Sequence, residues 1–172
     1  GNDDVNNDAD PFYPASYDCS TPSQTWDCIV SVASVDANGY LSSFSNFGPE
    51  SVDIAAPGGF LGDPLDEYSI LSTVPEDTWD FYPGTSMATP FVTGAAALCS
   101  AANPGLTAAQ VQELIFDNLH PIQESHQTLI AMGGTLDVGK AIEDCLTAQS
   151  LSLLGSPSQV RVDSNEFVGE VT

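Results

Sequence analysis

The chain has 172 residues, with Lys+Arg 2 against Asp+Glu 24 and a formal charge of −22, while 42% of its residues are hydrophobic. That apolar fraction suits one folded domain or a piece of a larger one, and argues against disorder driven by charge. Lys140 and Arg161 are the only basic residues, so no patch can neutralise phosphates or dock on an anionic bilayer, and nucleic acid and membrane are excluded as partners. The apolar stretches, such as Gly94 to Leu98, fall far short of the roughly 20 residues that a spanning helix needs.

The opening Gly1-Asn2-Asp3-Asp4 has no initiator Met and no charged or apolar leader, which is expected of a chain that starts inside a longer protein. Residues 1–28, rich in Asn, Asp, Pro and Tyr, read as a surface loop. Ile29 to Val35 is β-branched and nearly continuously apolar, the pattern of a strand buried on both faces of a parallel sheet. It ends at the turn signal Asp36-Ala37-Asn38-Gly39. A second short strand, Val52 to Ala56, stops at Pro57-Gly58-Gly59, and Ser69 to Val74 with Trp79 to Tyr82 form an expected hairpin around Pro75 to Thr78.

From Ser86 to Ala102 the residues are apolar or small nearly all round, which predicts a helix enclosed on every side. Pro90 is tolerated there because it falls in the first turn. Thr107 and Gln110 have capping-box spacing, and Val111, Leu114, Ile115 and Leu119 follow at helical intervals. Asp137 is placed to cap a third helix that turns Val138, Ala141, Ile142 and Cys145 inward. Strands followed by helices make the fold class α/β with a mostly parallel sheet. After about residue 148 the composition shifts to Ser, Pro and Gly before one expected strand at Gln159 to Asp163. Residues 1–148 are therefore assigned to one domain fragment and 149–172 to a linker and the start of a truncated extension.

Four cysteines, Cys19, Cys28, Cys99 and Cys145, lack Cys-x-x-Cys spacing. An even count in a strongly acidic chain with almost no Lys suits an oxidising, extracellular, saline setting, with four buried thiols in a cytosolic protein as the alternative. Of the three pairings that four cysteines allow, Cys19 with Cys28 closes the shortest loop and is the cheapest in entropy. Cys99 and Cys145 then remain for each other.

The run that carries chemistry is Gly84-Thr85-Ser86-Met87-Ala88-Thr89-Pro90-Phe91-Val92-Thr93-Gly94. Glycine permits a sharp turn, and Ser86 stands at the amino end of a helix, where backbone N–H groups and the helix dipole favour an oxyanion. A Gly-x-Ser by itself is usually no more than a helix start. The whole run, however, resembles the nucleophile motif of the subtilisin-like serine proteases, the subtilase family. Further segments match in order: Tyr13-Pro14-Ala15 before Ile29 to Asp36, then Phe44-Ser45-Asn46-Phe47-Gly48, then Asp53-Ile54-Ala55-Ala56-Pro57-Gly58. The resemblance covers residues 1 to about 148 and implies the C-terminal part of a subtilisin-like three-layer fold.

Carried onto these positions, the resemblance makes Ser86 the acylated nucleophile of a serine endopeptidase and Asn2 the side-chain donor of the oxyanion hole, with the Ser86 N–H as the second donor. Fixed donors stabilise the charge of a tetrahedral intermediate more than the neutral ground state. In this family the triad runs Asp, His, Ser along the chain, so the Asp and His fall upstream of Asn2 and the missing N-terminal half becomes a partner beside polypeptide substrates. His120 and His126, the only histidines, follow Ser86 and are expected at the surface. The chain alone is expected to be inactive, since a serine hydroxyl without its base is a weak nucleophile.

No cofactor is expected for catalysis. Asp4, Asn6 and Asp8 sit at EF-hand spacing, but Ala9 stands where Gly is required and Ala15 where Glu is. The resemblance still allows structural calcium in irregular loops, with no ligand set assigned. Two rivals to the peptidase remain: a non-catalytic subtilase-like binding module, and an α/β-hydrolase esterase, whose Gly-x-Ser-x-Gly elbow is contradicted by Ala88.

Overall fold

The computed structural model describes residues 1–17, 19, 27–60 and 69–153. The strand expected at 159–163 lies outside the described residues. In chain order the elements are β1 (Val32–Val35), β2 (Ile54–Pro57), β3 (Ile70–Val74), β4 (Thr78–Tyr82), α1 (Thr85–Ala102), α2 (Ala108–Phe116), β5 (Leu119–Pro121), β6 (Gly134–Leu136) and α3 (Val138–Leu153). A 3-10 helix, Glu124–Leu129, connects β5 to β6. The main sheet has the order β1-β2-β6-β5, with β1, β2 and β6 parallel and β5 antiparallel at the edge. β3 and β4 form a separate antiparallel hairpin.

Period-two alternation along β2 divides the core between the two faces of this sheet. Ile54 and Ala56 pack on one side with Ala88, Val92 and Ala95 of α1 and with Ala141 of α3. Ala55 faces the other side with Ala33, Val35, Ile122 and Ile130. The first two strands are buried on both faces as their apolar runs predict, although β1 is trimmed to four residues. The short strands β5, at the edge, and β6, between β2 and β5, escape the sequence reading because three residues carry too little pattern to stand out.

Both later helices begin where their capping residues predict. The Gln110 N–H donates to Thr107 Oγ1 while Thr107 N–H donates to Gln110 Oε1, closing the capping box of α2. Asp137 Oδ1 accepts from Lys140 N–H at the start of α3. That helix continues to Leu153, past the composition change near residue 148. Cys99 and Cys145, both fully buried, are bonded with Cα atoms 5.5 Å apart, which fastens α3 to α1. Cys19 and Cys28 form the other bond, at 5.8 Å.

The helix expected to lie inside a larger body is covered on one side only by the described residues. Helix α1 buries a single stripe, Ala88, Val92, Ala95 and Cys99, rather than its whole circumference. On its other side Leu98 is 53% exposed, Phe91 41%, and a Cβ built on Gly94 would touch nothing within 4 Å. A helix apolar all round but covered on one side leaves an apolar face that water must solvate.

Asp53, one residue before β2, receives the Ser31 N–H at 2.7 Å. Burial, reinforced by the nearby Asp27 charge, outweighs this hydrogen bond and pushes its carboxyl from an ordinary 3.8 up to about 6. A group whose folded pKa is raised contributes stability that is complete below the unfolded value and is lost as pH rises through the folded one. The chain is therefore expected to lose up to about 3 kcal/mol between pH 4 and pH 7 through Asp53. Thermal midpoints across that range check this: Asp53→Asn should flatten the decline, and an unchanged slope would contradict it.

Candidate active site

The turn into α1 is built by close backbone contact. Gly84 N–H donates to Gly58 O at 2.7 Å, so the end of β2 holds the residue that starts the helix. A Cβ on Gly58 would overlap Ser34 Oγ and lie 2.7 Å from Gly84 O, which explains glycine there. Gly84 itself has φ 157° and offers no side chain to cap the helix. Asn2 caps it from a distance of 83 residues: its Oδ1 accepts from both the Thr85 N–H, at 2.9 Å, and the Thr85 hydroxyl, at 2.8 Å.

Those two donors fix which way the Asn2 amide faces. With Oδ1 held by Thr85, Nδ2 becomes the end presented beside Gly84, 3.3 Å from where a Cβ on that glycine would lie. Ser86, exposed one residue further on, lies in the first turn, where its N–H has no intrahelical acceptor. The structure thus bonds Asn2 to Thr85, the residue before Ser86, a link that the sequence reading did not identify. The Thr85 hydroxyl sits inside the Gly-Thr-Ser run, but nothing in the spacing shows that it reaches back to residue 2.

Thr85, Ser86 and Thr89 line a cavity of about 380 Å³ with Gly1, Asn7 and Val30. Neither histidine lines it. His120 is exposed on β5. His126 is half-buried rather than on the surface: its Nδ1 accepts the Leu41 N–H at 2.9 Å and its ring meets Tyr40 edge-on. An imidazole nitrogen engaged in this way is a structural acceptor. The acidic opening run is similarly engaged. Asp8 accepts from Ser51 Oγ at 2.5 Å and from Glu50 N–H at 3.1 Å, and Asn6 Oδ1 accepts from Asp8 N–H. The Asp8 carboxylate thus ties the opening loop to residues 50–51.

Met87 Sδ lies 3.5 Å from the Cβ position of Gly84, directly behind the turn. Oxidation to the sulfoxide would put a larger polar group against the backbone that presents Ser86. If the full-length protein acts through Ser86, peroxide should slow it several-fold and Met87→Ala should protect it; equal sensitivity of that variant would contradict the role given to Met87.

A mostly parallel α/β sheet, with a serine presented at the amino end of its central helix and an amide donor fixed beside it, has the architecture of subtilisin-type proteins. The Subtilase family model matches residues 1–144, and the chain belongs to that family. It is 39% identical over 105 residues to the halolysin-like extracellular serine protease Nep of Natrialba magadii, an alignment covering 61% of this chain and 16% of that protein. To subtilisin DY of Bacillus licheniformis it is 39% identical over 100 residues, covering 58% of this chain and 30% of the relative. Among solved structures, the epidermin leader peptide processing serine protease of Staphylococcus aureus superposes with a TM-score of 0.65 at 28% identity, covering 83% of this chain and 38% of that one. The chain thus spans less than a third of the length of these two curated relatives. Among the described residues no helix is long and apolar enough to cross a membrane.

Proposed function

We propose that the chain is the C-terminal half of a secreted subtilisin-like serine endopeptidase domain, which cleaves peptide bonds through an acyl-enzyme on Ser86. The observation that carries this reading is the Asn2 amide locked by Thr85 with Nδ2 turned to the start of the Ser86 helix. In the proposed reaction a His from the N-terminal half, oriented by an Asp, takes the Ser86 hydroxyl proton as Oγ attacks the peptide carbonyl. Asn2 Nδ2 and the Ser86 N–H then receive the oxyanion. The same His returns the proton to the leaving amine, and water hydrolyses the ester. No step is routed through a metal.

The uncovered face of α1, with Phe91 and Leu98 exposed and open space at Gly94, supports the N-terminal half as its covering partner. Two disulfides and the extracellular relative support secretion. The test is a fluorophosphonate probe applied to the 172-residue chain, alone and after addition of the N-terminal half. Labelling should be absent alone and appear on reconstitution. Rapid stoichiometric labelling of the chain alone would contradict the need for an upstream base, and no labelling of the full-length protein would favour the binding module.

A further inference from the structure

Asn2 is held at its side chain by Thr85, but a donor aimed at an oxyanion also needs a fixed backbone, and residues 1–10 belong to no helix or strand. On both sides of Asn2 that support comes from one residue. Asn46 N–H donates to Gly1 O at 3.0 Å, and Asn46 Oδ1 accepts from Asp3 N–H at 2.8 Å. The two peptide groups that flank Asn2 are thus both bound by Asn46. Its Nδ2 donates to Asn7 Oδ1 at 2.8 Å, which leaves the side chain satisfied at both ends, and Asn46 and Asn7 are each only 3% exposed. Neighbouring backbone bonds, from Asp4 N–H to Phe44 O and from Phe47 N–H to Val5 O, lay the opening segment along residues 44–47.

We propose that Asn46 is a positioning residue for the oxyanion donor: it brackets the backbone of Asn2 so that Thr85 can lock its amide beside Ser86. The proposal rests on the peptidase reading above. Asn46 lines the same cavity as Ser86, but its hydrogen bonds go to the opening segment, and the effect proposed for it passes through Asn2. Displacement of a catalytic group by about 1 Å can cost as much as 10²-fold in rate, so Asn46→Ala in the full-length enzyme should lower kcat by about 10-fold to 10²-fold with KM little changed.

A double-mutant cycle on kcat separates this role from general support of the fold. If Asn46 acts through Asn2, Asn2→Ala/Asn46→Ala will be no slower than Asn2→Ala alone. If the two losses multiply, the proposal is overturned. Asn46→Asp guards against a variant that fails to fold. It keeps the acceptor for Asp3 N–H while placing a buried charge beside Asn7, so it should melt lower than wild type yet retain most of kcat. Loss of kcat in proportion to loss of stability across both variants would instead assign Asn46 a purely structural role. Should Asn2→Ala alone leave kcat unchanged, the oxyanion assignment itself fails, an outcome distinct from multiplicative losses.

Discussion

Asn2→Ala in the full-length enzyme is expected to lower kcat by about 10²–10³, the loss known for removing the corresponding donor in subtilisin, while KM changes little. Ser86→Ala should abolish acylation with folding intact. The asymmetry follows from the site. In the proposed reaction Ser86 would form the bond, whereas Asn2 Nδ2 would meet substrate charge only after the carbonyl has become tetrahedral, so its contribution would fall on the transition state rather than on binding. The double hydrogen bond from Thr85 to Asn2 Oδ1 removes the alternative amide orientation, which would present an oxygen to the developing oxyanion. Steady-state kinetics on peptide substrates check both variants. A change confined to KM would refute the role given to Asn2.

The second large effect concerns stability. Cys99 and Cys145 are 46 residues apart in sequence, and the chain-entropy model assigns a cross-link of that span about 4 kcal/mol. Cys19 and Cys28, nine apart, come to about 2.5 kcal/mol in the same model. Cys99→Ala/Cys145→Ala should therefore lower the melting temperature of the full-length protein more than Cys19→Ala/Cys28→Ala. It should also reduce activity near the transition, because α1 carries Ser86 at one end and Cys99 near the other. Calorimetry of the two double variants tests the ranking, and the opposite order would contradict it.

Residues with a strong local pattern were legible from sequence alone. The apolar run of β1, the capping residues of α2 and α3, and the hairpin of β3 and β4 each follow from chemistry within a few neighbouring residues, and the structure places them within a few residues of expectation. Both disulfide pairings emerged from loop length and elimination, without geometry. What escaped detection depends on contacts distant in sequence. Thr85 and Asn46 act on Asn2 from 83 and 44 positions away, and no periodicity encodes such a contact. The exposed side of α1 misled in the reverse sense: its composition reports the surroundings for which the sequence is suited, which include more than the layers packed around it here.

The role given to Ser86 is tested by peptide mapping of the full-length protein after reaction with a fluorophosphonate, using cleavage at Glu because residues 1–172 hold only two basic residues. A single modified site, Ser86, is expected, with labelling slowed strongly in Asn2→Ala and absent in Ser86→Ala. A protein that hydrolyses peptides while carrying the probe on another residue, or on none, would contradict it.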